Sequence, residues 1–420
     1  MKTLKNNLSV FQGIAMAVSL VIGSGLLGLP GLALETGGLA ATSAGWVVTT
    51  MASLPFLFIL MRLGLRFRSS AGLARYAEAA AGEWAGSGVV AVMVGTFALG
   101  IPALAIIGGA YAQRLFGLQF HHQYWLAIAI LTLATVVNAR GVTWTGAVNS
   151  ASLMALIVMV AYLTLSHPGF SVAGVSLFAH SVFNAGGHEY TKVWSVCSIL
   201  VWAYFGWENL SFGLEEFRNP SRSIPLVFWG SFMVVVILYL SLAAVTLGAA
   251  SAGLDVSGPA GLIALVGHPG VRAIVNLVMV LAILANANAW IFSASRLACA
   301  AGQKGILPGF LGTLSKHQLP MQSLWVLLAL YLSVIAIARL GIVTLSTLIG
   351  LVSQNFLVLY GFIIVAFIRT ETHWFRWPIA VAGAASCLFF LSGFLWWLAC
   401  PATLLTIGYL VYRHHRVRKC

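Results

Sequence analysis

Residues 22–30 read Ile-Gly-Ser-Gly-Leu-Leu-Gly-Leu-Pro, inside an apolar run that covers residues 10–34. Such a run is long enough to cross a bilayer, which takes about 20 helical residues. Its composition is wrong for an unbroken helix. An interior glycine costs about 1 kcal/mol relative to alanine, and a proline about 3 kcal/mol. Three glycines and a proline within nine residues therefore predict a helix that breaks partway. A second run, over residues 193–217, carries Trp202-Ala-Tyr-Phe-Gly-Trp-Glu-Asn209, with a central glycine next to an acid. Small residues also let membrane helices pack closely, which is the plainer reading of each run taken alone.

Around these two segments the chain reads as membrane protein throughout. Of 420 residues, 60% are hydrophobic and 7% charged. A soluble domain carries about 25% charged residues. In hydrocarbon every backbone polar group needs an internal partner, so only helices and closed barrels span. Long unbroken apolar stretches, such as residues 271–289 and 321–337, are helical and not the alternating pattern of a barrel strand. The expected fold class is thus an all-α membrane protein. Its expected spans are residues 10–34, 40–62, 86–116, 124–138, 143–166, 193–217, 224–250, 271–297, 321–339, 342–367, 377–393 and 395–412. The last two are divided only by Ser392-Gly393. The loop at residues 69–82 is mildly amphipathic and too short to span. It reads as an interfacial or re-entrant segment, or as an ordinary loop helix.

The net charge of +13 would suggest nucleic acid in a soluble protein. Here it follows from topology. With both termini in the cytoplasm, every Lys and Arg except Arg114, Lys192, Arg272 and Arg339 falls in a cytoplasmic segment. That satisfies the positive-inside rule and removes the nucleic-acid reading. It predicts a multi-pass protein of the plasma membrane, the inner membrane in a bacterium, with N- and C-termini cytoplasmic.

The two interrupted spans are the first and the sixth. They are equivalent if residues 10–166 and 193–367 form two five-helix repeats, with residues 377–412 adding two helices to a single transporter domain. Five is odd, so the second repeat inserts inverted. Paired interruptions at matching positions point to a binding site in transporters of that design. Free N–H groups at the start of a half-helix hold an anion, and free C=O groups at the end of another hold a cation. An α-amino acid zwitterion carries both. The expected carboxylate donors are the amides of Ser24, Gly25 and Leu26. The expected ammonium acceptors are carbonyls near Val21, Trp202 and Phe205, with Ile22 and Gly23 completing the unwound stretch.

Of nine acidic residues, Glu35, Glu78, Glu83, Glu189, Glu215, Glu216, Asp255 and Glu371 fall at expected loops or interfaces; Glu208 alone falls in mid-span. A mid-membrane acid marks a functional site by default. Desolvation favours the neutral form of a carboxyl. Glu208 is therefore a candidate proton-coupling or gating group, or a neutral acid that hydrogen-bonds loose backbone beside Gly206. Asn286, Asn288 and Gln354 are weaker candidates for a polar pathway; hydrogen bonds between helices are the commoner use of such residues. No Lys or Arg is expected at mid-depth of a span. Ten histidines in loops or tails, and five cysteines without ligand spacing, predict no metal site. No phosphate-binding Gly-Lys motif occurs, so no nucleotide cofactor is expected.

Four segments resemble the amino acid–polyamine–organocation superfamily. They are GSGLLGLP at Gly23–Pro30, AGLARYAEAAAG at Ala71–Gly82, FGWE at Phe205–Glu208 with EEFRNPSRSIP at Glu215–Pro225, and SASRLACAAGQKGILP at Ser293–Pro308. Within the superfamily, length and tail are most similar to the bacterial methionine and branched-chain amino acid exporter group. The resemblance implies a leucine-transporter-type inverted repeat and alternating access, with the amino acid backbone held at the broken helices. It implies the roles given above to Ser24, Gly25, Trp202, Phe205 and Glu208. Some members place a lysine in the fifth helix where relatives bind sodium; residues 144–165 contain none.

The expected function is secondary transport of a neutral apolar amino acid, by efflux against protons. A proton-coupled importer or an exchanger is the near alternative, and a channel or embedded enzyme the remote one. A channel needs a polar-lined pore and an enzyme a catalytic cluster; the spans supply neither. Expected partners are the amino acid, H+ or Na+ as coupling ion, and the lipid bilayer, with the chain a monomer or homodimer.

Overall fold

The computed structural model describes residues 8–22, 25–69, 71–119, 122–184, 190–258, 261–391 and 398–417. These residues fold into helices: α1 (Val10–Val21), α2 (Gly25–Arg66), α3 (Leu73–Ala81), α4 (Glu83–Leu115), α5 (His122–Ala139), α6 (Val142–Ser166), α7 (Pro168–Asn184), α8 (Tyr190–Leu200), α9 (Pro220–Ser251), α10 (Pro269–Gln303), α11 (Met321–Arg339), α12 (Leu345–Thr370), α13 (Arg376–Leu391) and α14 (Ala399–Val417). Two 3-10 segments, Val201–Tyr204 and Trp207–Glu216, continue from α8. Among the described residues, eight helices are long and apolar enough to cross a membrane, and α1 and α13 are shorter apolar helices.

Local chemistry explains the ends. Ser9 Oγ accepts the Gln12 N–H at 3.2 Å and Gln12 Oε1 accepts the Ser9 N–H at 3.2 Å, a capping box that starts α1. Asn219 precedes Pro220, whose missing N–H is no loss at the first helical position of α9. In α2 the chain reverses at Gly38, with φ 68°. A straight helix would set Ala33 and Thr42 about 13.5 Å apart at 1.5 Å per residue. The Thr42 hydroxyl instead donates to the Ala33 carbonyl at 2.8 Å, so α2 is two arms joined by a bend. The expected boundary between the first two spans thus falls at Gly38, where glycine alone takes that φ without strain.

Two elements depart from the sequence expectation, and a third, at residues 69–82, falls within the readings it left open. Residues 168–184, expected as a connection, form α7, which packs along α9. The loop over residues 69–82 forms α3, whose Leu73, Ala74, Tyr76, Ala77 and Ala80 are buried against α4 and α12. The sixth span winds as 3-10 helix over ten residues after Gly206. Runs beyond three or four residues are uncommon, and such stretches often mark a hinge.

α4 and α10 pack against each other in the middle of the bundle. The outer helices carry apolar residues on both faces. In α6, Leu153, Leu156, Val160 and Leu163 point inward, while Met154, Ile157, Val158 and Leu165 face out. That outward surface belongs in lipid.

One end of the bundle is basic and cross-linked. Arg62 pairs with Glu371 at 2.7 Å, Lys304 with Glu78, and Arg68 donates to Ser221 at 2.9 Å. The Leu8 N–H donates to the Glu216 carbonyl at 2.8 Å, and the Arg218 N–H to the Leu8 carbonyl at 3.3 Å. We call this end the basic face.

Candidate functional site

α1 ends as the chain turns extended at Ile22, with φ −82° and ψ 98°. Gly23 and Ser24 lie outside the described residues, and α2 starts at Gly25. Of the expected carboxylate donors, Gly25 and Leu26 are therefore the first two residues of a helix, whose opening N–H groups lack intrahelical partners. The second break is sharper. The backbone leaves 3-10 geometry at Phe205, with ψ 149°, and Gly206 takes φ 126° before the helix resumes at Trp207.

The two breaks touch. A Cβ added at Gly206 would run into the Leu20 carbonyl and stand 3.3 Å from Val21 Cα. Two helices can approach this closely only where one offers bare backbone. At the contact lies a cavity of about 10 Å³, lined by Leu20, Val21, Leu104, Trp202, Phe205, Asn286, Trp290 and Phe356. That is room for about one water, so a ligand enters only by parting the walls. Val21, Trp202 and Phe205 come together here as expected. Leu20 of α1 joins them, with Leu104, Trp290 and Phe356 from α4, α10 and α12, and no local sequence signal marked these four.

The carbonyls of Ser19, Leu20, Val21 and Trp202, at or beside the positions expected to hold an ammonium, already have partners. The Asn286 amide donates to the carbonyls of Ser19 and Leu20, the latter at 3.1 Å. Trp290 Nε1–H donates to Leu20 at 2.8 Å, and the Tyr239 hydroxyl to Val21 at 3.5 Å. The Trp202 carbonyl accepts the Phe205 N–H at 3.5 Å. Side chains of α9 and α10 thus cap the end of α1. Two carbonyls can be partnered only by the nitrogen of Asn286, which fixes its flip. Its Oδ1 has no partner among the described residues, and Asn286 lines the cavity. Asn286 Oδ1 is thus a side-chain acceptor at the cavity wall with no partner among the described residues.

Glu208 is fully buried but is not among the lining residues. Its Oε2 accepts the Gly206 N–H at 3.1 Å and the Tyr360 hydroxyl at 2.7 Å. Its Oε1 has no partner among the described residues. The Tyr360 ring stacks on Phe56 at 4.6 Å and on Phe205 at 5.3 Å between centroids. Glu208 thus ties the loose backbone of the break to α12 through Tyr360. Phe205, on the cavity wall, leans on the same tyrosine. A change at the Glu208 carboxyl is two contacts away from the cavity.

Two of the weaker polar candidates lie away from this cavity. Asn288 does not line the cavity. It accepts from Asn138 at 2.8 Å and donates to Asn149 at 3.0 Å, bracing α5, α6 and α10. Gln354 is fully buried and is not among the residues that line the cavity. The charge expectations also shift. α10 runs on through small helix-forming residues to Gln303, so Arg296 is inside a helix, 2% exposed. Its Nε donates to Glu216 Oε1 at 3.0 Å, and its guanidinium lies 3.6 Å from the Phe292 ring centroid. Glu208 is therefore not the one buried acid: Glu216 is 2% exposed and Glu371 7%. A buried charge persists when paired, and Arg296 and Glu216, 80 positions apart, satisfy each other.

Comparison with known proteins places this geometry. The sequence profile of a family described as amino acid permease matches residues 8–413. The chain is 26% identical over 412 residues to the uncharacterized amino acid permease YecA of Bacillus subtilis, covering 97% of this chain and 95% of that protein. It is 27% identical over 415 residues to the L-methionine/branched-chain amino acid exporter YjeH of Escherichia coli K12, covering 94% and 93%. It is 24% identical over 326 residues to the putrescine transporter PotE of the same strain, covering 76% and 73%. The crystal structure of MhsT in complex with L-phenylalanine superposes with a TM-score of 0.66 at 14% identity, over 93% of this chain and 99% of that one. At that identity the likeness is one of fold.

Proposed function

We propose that this chain, which belongs to the amino acid permease family, is a secondary transporter of neutral apolar L-amino acids working by alternating access. The family is one of multi-pass membrane permeases and not of enzymes. The observation that carries the substrate class is the cavity where the two helix breaks meet. Its walls are aliphatic and aromatic, with a single amide and no ionised side chain. A diamine such as putrescine needs an acid for its second ammonium, and none lines this cavity. An apolar amino acid needs an acceptor for its ammonium, for which Asn286 Oδ1 lies at the wall, a donor for its carboxylate, for which the opening amides of α2 are the candidates, and an apolar wall for its side chain.

The repeat reading follows. Residues 10–166 and 193–367 are two inverted five-helix repeats in one transporter domain, and residues 377–412 add two helices. The basic face is cytoplasmic on the positive-inside rule, so both termini are cytoplasmic and the membrane is the plasma membrane. Glu208 exchanges the coupling proton and the direction is efflux. Its support is the buried carboxyl with one unpartnered oxygen, and similarity over nearly the full chain to an exporter.

Ligand binding to the purified chain tests the substrate class. A ligand at 100 times its Kd raises unfolding free energy by about 2.7 kcal/mol. L-Methionine, L-leucine, L-isoleucine and L-valine are expected to raise the melting temperature. L-Lysine, L-glutamate and putrescine are expected to leave it unchanged. Stabilisation by putrescine and not by apolar amino acids would reverse the assignment.

A further inference from the structure

A second cavity, of about 400 Å³, opens at the basic face. Arg140, Thr143, Glu216, Arg296 and His317 are among its lining residues. Its volume lies in the range of small-molecule sites, about 300–1,000 Å³. Glu216 and Arg296, the buried pair, form part of its wall, with side chains 3% and 2% exposed. The mechanism drawn so far gives this pair nothing to do.

Its position is informative. Arg296 follows Trp290 of the central cavity by six residues, about 9 Å further along α10 at 1.5 Å per residue. Glu216 ends the 3-10 segment that starts beside Gly206. The Leu8 N–H holds the Glu216 carbonyl at 2.8 Å, which ties Glu216 to the start of α1 as well. The two broken helices thus meet α10 twice, at the central cavity and again at this ion pair. Along α10, Trp290 lines the first cavity and Arg296 the second, with Glu216 bonded to Arg296 at the second.

We propose that the cavity walled by Glu216 and Arg296 is a second, transient site for an α-amino acid zwitterion, in which the ligand's carboxylate takes Arg296 and its ammonium takes Glu216. The inference rests on the amino acid transport reading above. The zwitterion presents the two charges that the ion pair gives up when it opens, so each buried group exchanges one partner for another. Arg296 matches a carboxylate in shape as well as charge, because its guanidinium is a planar fork of donors. Arg140 gives the cavity an excess of positive charge, which draws the carboxylate end in and opposes a diamine. With no ligand, the Glu216–Arg296 contact keeps the way to the basic face shut.

Initial rates of radiolabelled L-leucine entry from each face, in proteoliposomes sorted for one orientation, test this. Glu216→Gln and Arg296→Gln are each expected to raise KM at the basic face about tenfold and to leave KM at the opposite face within about twofold. A pair that only braces the fold gives equal KM changes at both faces, or a lower maximal rate at constant KM. Either result overturns the proposal. Melting temperature controls for folding. If both glutamine variants fail to fold, Arg296→Lys keeps the charge, loses the fork, and is expected to raise KM at the basic face only, by less. No saturable leucine entry by the unaltered chain overturns the transport reading and this proposal together. Entry with matched KM changes at the two faces overturns this proposal alone.

Discussion

Replacing Gly206 with alanine is expected to lower amino acid flux by at least about 100-fold, the scale of loss that a misplacement of about 1 Å at a reacting or binding centre can cause. Two independent effects act at this position. Gly206 has φ 126°, where an L side chain is strained; residues in sparsely populated backbone regions cost about 1–3 kcal/mol. The added Cβ would also overlap the Leu20 carbonyl, which is backbone and cannot swing aside. Leu20 is held by Asn286 and Trp290, so pushing it moves the cavity wall as a unit. The check is flux per inserted protein molecule, with the melting temperature measured in parallel. Wild-type flux from Gly206→Ala would mean that the two breaks do not need this contact to form the site.

Replacing Glu208 with glutamine is expected to remove the response of transport to a pH gradient while leaving amino acid exchange intact. Glutamine has nearly the same shape, and its oxygen can still accept from the Gly206 N–H and the Tyr360 hydroxyl, the two bonds of Oε2 in the native chain. The tie between the break and α12 should survive. What goes is the ability to bind and release a proton. Gradient-driven flux should fall at least about tenfold, equivalent to about 1.4 kcal/mol, and substrate–substrate exchange should stay near the wild-type rate. If Glu208→Gln keeps the full pH response, the carboxyl is a structural tie and the coupling group lies elsewhere. If both activities collapse, the hydrogen bonds to Gly206 and Tyr360 need an ionised oxygen, and the tie outweighs the coupling role.

The broken helices were legible in the sequence because glycine, proline and glutamate are each unfavourable in a membrane helix. Their presence at Gly23–Pro30 and Phe205–Glu208 needed a reason. Of the twelve expected spans, eight match helices long and apolar enough to cross a membrane among the described residues; 10–34, 193–217 and 377–393 contain shorter or broken helices. Other features depend on contacts between distant residues. Asn286 read as one more polar residue in a span; its capping of the α1 carbonyls appears only when α10 is laid beside α1. Tyr360 carried no local oddity, yet it holds Glu208. Arg296 and Glu216 sit close enough to expected loops to pass as surface charges, and only their mutual contact explains their burial. The break between the first two expected spans, 10–34 and 40–62, was legible in the sequence and falls at Gly38. The Thr42 hydroxyl on the Ala33 carbonyl marks the reversal.

The central claim is that the meeting of the two breaks is a site for moving apolar amino acids across a membrane, driven by protons. Flux of radiolabelled L-leucine and L-methionine through the purified chain in proteoliposomes, with and without an imposed pH gradient, measures this most directly. The expected result is saturable movement of both amino acids against protons, accelerated by the gradient and suppressed by an excess of either one unlabelled. The absence of saturable amino acid flux under every gradient imposed would contradict it.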